Sequence, residues 1–212
     1  MADRPGTQSA AVGYTACQSP FMSGARLSRA SKRQGVFPMV PVRIALWLLL
    51  VLLTVVGVAM VVFQLPELPE RVATHFDGAG RPNGFMSRQG HLATMVALLV
   101  GTPILFAGIS ALIRILPASL INIPYRNYWL APERREETIR VVDLFLLIMA
   151  IGTEVFMMGI AHLVYRANVG NGQLSNTAFL TLLCGYLALT LGGCIYLLVR
   201  FGRPPADHAS MS

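Results

Sequence analysis

Three ionisable side chains, Asp143, Glu154 and His162, stand within one long apolar segment at residues 141–165. An ionisable group well inside a membrane-spanning helix is costly, so it is treated as a functional candidate until a structural partner is known. Carboxyl and imidazole groups can bind and release a proton or hold a cation. The sequence therefore raises the hypothesis of a proton or ion site inside a helix bundle.

Glu154 is the most central of these three residues. At 100° per residue, Asp143 lies about 20° and His162 about 80° around the helix from Glu154, so all three can line one face. We expect Asp143 and His162 near the two helix ends, with water or Arg140 beside Asp143. A structural alternative is that Glu154 is a neutral acid bonded to a hydroxyl of the preceding apolar segment. The hydroxyl residues considered for that role are Thr94, Thr102 and Ser110.

A second candidate site lies in the polar segment 64–91. Its Asp77-Gly78 and Asn83-Gly84 pairs favour tight turns, which predicts a small hairpin or compact loop. Ser87 is placed to cap the helix that follows. The spacing of its histidines matches no standard zinc or copper site, so no metal is expected. The residues selected as candidate binding residues are Arg71, His75, Phe76 and Arg81.

Four apolar runs must position these groups, at residues 44–63, 92–115, 141–165 and 177–199. Each is long enough to cross the hydrocarbon core of a bilayer, and a spanning backbone must satisfy its own hydrogen bonds. The predicted fold is therefore all-α, an integral membrane bundle of four transmembrane helices over residues 41–200. Residues 64–91 form its structured extracytoplasmic loop. No small-x-small cleavage site follows the first run, which favours an anchor over a signal peptide.

Composition and charge agree with this arrangement, with 54% hydrophobic residues, 13% charged residues and a net charge of +7. The basic residues lie between the apolar runs and not on a soluble recognition fold, which argues against nucleic-acid binding. With a cytoplasmic N-terminus, 13 of the 17 Lys and Arg residues fall on the cytoplasmic side. The positive-inside rule thus predicts that both termini are cytoplasmic. The four on the outer side are Arg71, Arg81, Arg88 and Arg166.

The remaining segments carry less information. Residues 1–40 are rich in Gly, Ser and Arg without apolar periodicity, which predicts a disordered basic arm. The alternative is that translation starts at Met39, in which case the protein does not contain this arm. Residues 201–212 are predicted to be a cytoplasmic tail. In the loop 117–140, Pro132 and Glu133 predict the start of the third membrane helix. The aromatic residues expected there at the membrane interface are Tyr125, Tyr128 and Trp129.

The segment LPELPERVATHFDGAGRPNGFMSR resembles the bacterial domain of unknown function 1648 (DUF1648). The pattern typical of that family, LPxxIPxHFxxxGxxDxWxSK, directly follows a first membrane helix. The resemblance covers the first helix, the loop and the second helix, and the departures are Ala73, Phe85 and Arg88. Larger members resemble SdpI-like immunity proteins, which protect a cell from a secreted peptide toxin. The matching positions are Leu68, Pro69, His75, Phe76, Gly80, Asn83, Gly84 and Ser87.

These observations favour a binding, sensing or immunity module of the bacterial cytoplasmic membrane. The resemblance and the loop composition imply that a peptide, lipid or protein partner is recognised at the outer loop. No phosphate loop, nucleophile elbow or paired catalytic carboxylates occur, so neither an enzyme nor a cofactor is expected. The alternatives are a small proton- or ion-coupled transporter centred on Glu154, or a structural subunit of a membrane complex. Self-association into a homo-oligomer also fits the short chain.

Overall fold

The computed structural model describes residues 39–203, in which four long helices are long and apolar enough to cross a membrane. They are α1 (Met39–Gln64), α2 (Arg88–Ile115), α4 (Arg135–Val169) and α5 (Asn176–Phe201), with a short helix α3 (Arg126–Trp129) between α2 and α4. The predicted membrane bundle of four helices is confirmed. The predicted arm, apart from its last two residues, and the tail beyond Arg203 lie outside the described residues.

The longest helix, α4, is the centre of the bundle and packs against α1, α2 and α5. Its 35 residues span about 52 Å at 1.5 Å per residue, well beyond a hydrocarbon core of about 30 Å. Glu136 and Glu137 in its first turn and Arg166 in its last turn therefore extend into the polar boundaries. The helix begins at Arg135, slightly later than predicted, because Pro132 lies in a turn closed by the Ala131 carbonyl.

Three small clusters of buried apolar residues follow one another along α4. The outer faces of the helices carry exposed leucine, valine and isoleucine, such as Leu48 and Leu198. In water such a surface would be unstable, whereas lipid tails solvate it. The clusters are Leu50, Leu147 and Ala150; then Val61, Leu99 and Ala161; then Leu68, Val72 and Val164.

The predicted hairpin is present between α1 and α2. Strand β1 (Arg71–Phe76) pairs antiparallel with β2 (Pro82–Ser87). Its turn is closed by the Asp77 carboxylate, which accepts the backbone N–H groups of Ala79 and Arg81 at 2.8 and 2.9 Å. Ser87 caps α2 as predicted, accepting the Gly90 N–H at 3.0 Å. The turn at Asp77-Gly78 thus forms locally as predicted, whereas Asn83 and Gly84 lie inside β2 and not in a turn.

The segment between α2 and α4 is fastened to the end of α5 by Trp129. Its indole N–H donates to the Phe201 carbonyl at 3.0 Å, and its own carbonyl accepts the Thr138 hydroxyl at 2.7 Å. The indole is buried within the protein, and the Arg200 guanidinium lies 4.6 Å from its ring. Trp129 therefore ties helix ends together, in contrast to the lipid-interface position that the sequence suggested.

Candidate functional site

One side chain of α4, Asn168, closes the free edge of β1. Its amide oxygen accepts the Ala73 N–H at 2.8 Å, and its amide nitrogen donates to the Ala73 carbonyl at 2.9 Å. The same nitrogen also lies 2.8 Å from the Val164 carbonyl of its own helix. A carboxamide offers one acceptor and two donors, so Asn168 supplies the hydrogen bonds that a neighbouring strand would give. The hairpin is thereby docked on α4.

The tip of the hairpin is held by the connection between α4 and α5. The Leu174 N–H donates to the Gly80 carbonyl at 2.9 Å, and the Asn176 side chain donates to the Gly78 carbonyl at 2.8 Å. Gly80 has φ +77°, and a Cβ there would collide with the Leu174 carbonyl oxygen. Only glycine satisfies both the turn and this close approach.

A groove of about 480 Å³ lies between the docked hairpin and the adjoining ends of α4 and α5. One wall comes from the hairpin and is mostly polar, apart from Phe76, and the other comes from the two helices and is mostly apolar, apart from Asn176. A site with one polar and one apolar wall suits an amphipathic ligand. The polar wall includes Thr74, His75, Asp77 and Asn83, and the apolar wall includes Ile160, Leu163, Phe179 and Leu180.

The four candidate binding residues do not form a single site. His75 and Phe76 line the groove, and the His75 ring nitrogen Nδ1 lies 3.2 Å from the Thr74 hydroxyl. Arg71 and Arg81 are not among the lining residues: the Arg71 guanidinium lies 5.5 Å from the Phe85 ring, and Arg81 is exposed beside the turn. Arg71 lies at the opposite end of β1 from His75 and Phe76, and Arg81 lies in the turn before β2, so the two arginines are separated from the groove by their positions along the hairpin.

The sequence did not predict which side chains of α4 and α5 form hydrogen bonds with the hairpin. Asn168 and Asn176 lie 95 and 98 residues along the chain from the groups they bind. Their only signal is that they are polar amides at the ends of two apolar runs. Asn83 matches a position of the DUF1648 pattern, but no local feature indicates that it lines the groove.

Glu154 is fully buried within the bundle, and neither carboxyl oxygen has a hydrogen-bond partner within residues 39–203. Thr54 of α1 lies beside it, but the Thr54 hydroxyl donates to the Leu50 carbonyl at 3.1 Å. The partners predicted on α2 are engaged elsewhere, because Thr94 donates to the Gly90 carbonyl and Ser110 to Asp143. Thr94 and Ser110 therefore do not hold the Glu154 carboxyl group, and in the described part of the chain no hydrogen bond joins it to Thr102.

Asp143 is buried at the opposite end of the bundle from the hairpin. It accepts the Ser110 hydroxyl at 2.6 Å and forms ion pairs with Arg114 and, at 3.7 Å, with Arg43. These partners come from α1 and α2, whereas the sequence pointed to Arg140 on its own helix. Asp143 thus connects three helices where they meet the membrane boundary.

His162 is exposed near the hairpin end, with its Nδ1 3.3 Å from the Gln64 side-chain nitrogen. Along α4, Glu154 lies about 16 Å from Asp143 and about 12 Å from His162. Those distances exceed a direct hydrogen bond several-fold. The three ionisable residues are therefore three separate sites and not a continuous line of contacts.

Comparison with known proteins gives one match. Residues 49–100 match the family model of a domain of unknown function, DUF1648. The matched part runs from α1 through the hairpin into α2, which confirms the resemblance found in the sequence. No curated protein and no solved structure matches the chain.

Proposed function

We propose that this chain is a binding module of the bacterial cytoplasmic membrane that takes up an amphipathic peptide in the groove between the hairpin, α4 and α5. The observation that carries the proposal is the two-walled groove beneath a docked hairpin. Sensing of the peptide, or immunity to it, follows from such binding. The resemblance to DUF1648 supports a peptide, since larger members of that family resemble immunity proteins that protect against a secreted peptide toxin.

The proposed orientation sets both termini in the cytoplasm and the hairpin outside. Support comes from the excess of Lys and Arg in the segments at the end opposite the hairpin. In this orientation the groove opens near the outer surface of the membrane. A peptide arriving from outside would then reach it without crossing the bilayer.

The lining supports a peptide of a few residues over a large folded partner. A volume of about 480 Å³ falls in the range of ordinary ligand pockets. Thr74, Asp77 and Asn83 can pair with peptide N–H and carbonyl groups, while Phe179 and Leu180 can cover apolar side chains. Because Asn168 and Asn176 already hold the hairpin, binding requires little ordering of the protein, which favours affinity.

The test uses a photo-crosslinking amino acid placed at position 75 in intact membranes, with position 81 as the matched control on the same hairpin. We expect peptide-sized adducts at position 75 and none at position 81, because only the first lines the groove. A His75→Ala, Asn83→Ala double variant removes two polar groups worth about 1 kcal/mol each, so peptide affinity should fall about tenfold to thirtyfold.

For that comparison, Arg81→Ala serves as the control and should leave peptide affinity unchanged. Equal labelling at positions 75 and 81, or full affinity in the double variant, would rule out the groove as the binding site. Phe76 is left intact because it packs against the cluster of Leu68, Val72 and Val164.

A second candidate function, proton- or ion-coupled transport, is favoured by one observation, the fully buried and unpartnered carboxyl group of Glu154. Such a group in a membrane bundle is a candidate proton or cation carrier. In liposomes containing the purified chain and a pH-sensitive dye, Glu154→Gln should abolish proton flux. Flux that continues in this variant would remove Glu154 from any coupling role.

A further inference from the structure

A second pocket, separate from the groove, lies at the end of the bundle that contains Asp143. Its volume is about 240 Å³, and it is enclosed by the first turns of α1, the last turn of α2 and the first turns of α4. Three arginines, one from each helix, line it together with two carboxylates and two apolar side chains. The lining residues are Arg43, Arg114, Arg140, Asp143, Glu136, Val42 and Leu144.

Asp143 organises the arginines of this pocket. It is fixed by the Ser110 hydroxyl and forms ion pairs with Arg114 and Arg43. Each guanidinium has five N–H donors, so a single carboxylate cannot accept all the donors that the two arginines offer. The side chains of Arg43 and Arg114 are 48% and 39% exposed, which leaves those donors accessible to a further acceptor.

The charge of the lining favours an anion. Three guanidinium groups face two carboxylates, and Glu136 is exposed in the first turn of α4. The planar guanidinium group of arginine carries paired N–H donors that match the oxygens of a phosphate group in charge and geometry. Basic pockets between membrane helices are also a recurring way of holding lipid head groups.

We propose that this pocket binds a phosphate group, and that in the membrane this is the head-group phosphate of an anionic phospholipid. The position supports a lipid over a free ion, because the pocket lies at the membrane end of three spanning helices and Val42 and Leu144 provide apolar walls beside the arginines. The bound phosphate joins α1, α2 and α4 across their charged ends. This site does not depend on the peptide groove.

The experiment measures ligand binding to the full chain, purified and delipidated in a neutral detergent, by native mass spectrometry and by thermal unfolding. The probes are phosphatidylglycerol, phosphatidylcholine and inorganic phosphate. We expect phosphatidylglycerol to bind and to raise the unfolding temperature, with much weaker effects of the other two. Arg140→Gln should weaken phosphatidylglycerol binding about tenfold, because one charge-assisted contact is lost while the Asp143 contacts remain.

Two further variants distinguish binding in this pocket from general attraction of anionic lipid to the basic end of the bundle. Arg203→Gln removes an exposed arginine at the same end of the bundle but outside the pocket, and should leave the affinity unchanged. Glu136→Gln removes a competing negative charge from the pocket and should strengthen phosphatidylglycerol binding. Equal loss in the Arg140 and Arg203 variants would reduce the site to general charge attraction. No gain in the Glu136 variant would contradict a phosphate bound beside that carboxylate in the pocket. Stabilisation by inorganic phosphate but not by phosphatidylglycerol would overturn the lipid assignment.

Discussion

Replacing Asn168 with alanine should loosen the docking of the hairpin on α4. Both hydrogen bonds between β1 and α4 pass through this side chain and end on the backbone of Ala73. At about 1 kcal/mol each, their loss should lower the protection of the hairpin amides against hydrogen exchange about tenfold to thirtyfold. Mass spectrometry of exchange in detergent, followed in peptides covering residues 71–87, measures this change.

Asn171 provides the matched control for this experiment. It is an asparagine three residues further along whose side chain accepts the Gln173 N–H within its own turn. Asn171→Ala should leave exchange in the hairpin unchanged. Asn168→Asp should fall between native and alanine, because the carboxylate still accepts the Ala73 N–H but cannot donate to its carbonyl. Full protection in Asn168→Ala would mean that the contacts of Leu174 and Asn176 suffice to dock the hairpin without Asn168.

Loosening of the hairpin bears directly on the peptide-binding proposal. The polar wall of the groove belongs to the hairpin and the apolar wall to α4 and α5, so the groove exists only while the two stay together. Asn168 is outside the lining but fixes the distance between its walls. Asn168→Ala should therefore weaken peptide binding without removing any group that would touch the peptide.

Replacing Glu154 with methionine should stabilise the bundle. The native carboxyl group is fully enclosed and has no hydrogen-bond partner in the described part of the chain. An unsatisfied buried polar group costs about 1–3 kcal/mol, and the flexible methionine side chain can fill similar space. The free energy of unfolding, measured by titration with a denaturing detergent in mixed micelles, should rise by that amount.

The control for this prediction is Glu133→Met, which changes an exposed glutamate in the turn before α4. It should leave stability nearly unchanged. A loss of stability in Glu154→Met alone would show that the carboxyl group forms a favourable contact after all. A gain in stability together with loss of proton flux would identify Glu154 as a group that serves function at the expense of stability.

The sequence by itself determined the membrane-spanning fold. A helix that crosses a bilayer needs about 20 consecutive apolar residues and satisfies its own backbone, so composition along the chain is sufficient to find it. The hairpin was also predictable, because the Asp77-Gly78 pair specifies a turn locally, although Asn83 and Gly84 belong to β2 and not to the turn. The cap at Ser87 depends on the neighbouring Gly90 alone. All of these features depend on residues close together in the sequence.

Only the tertiary structure decided how the polar residues are paired. Asp143 meets Arg114 and Ser110 instead of Arg140, and Ala73 meets Asn168 from a distant helix. Such contacts depend on the rotation and vertical position of each helix against its neighbours. Those positions are set by the packing of many apolar side chains, which helical periodicity leaves open. The sequence could therefore identify Asp143, Glu154 and His75 as candidates, while the fold alone assigned each of them its surroundings.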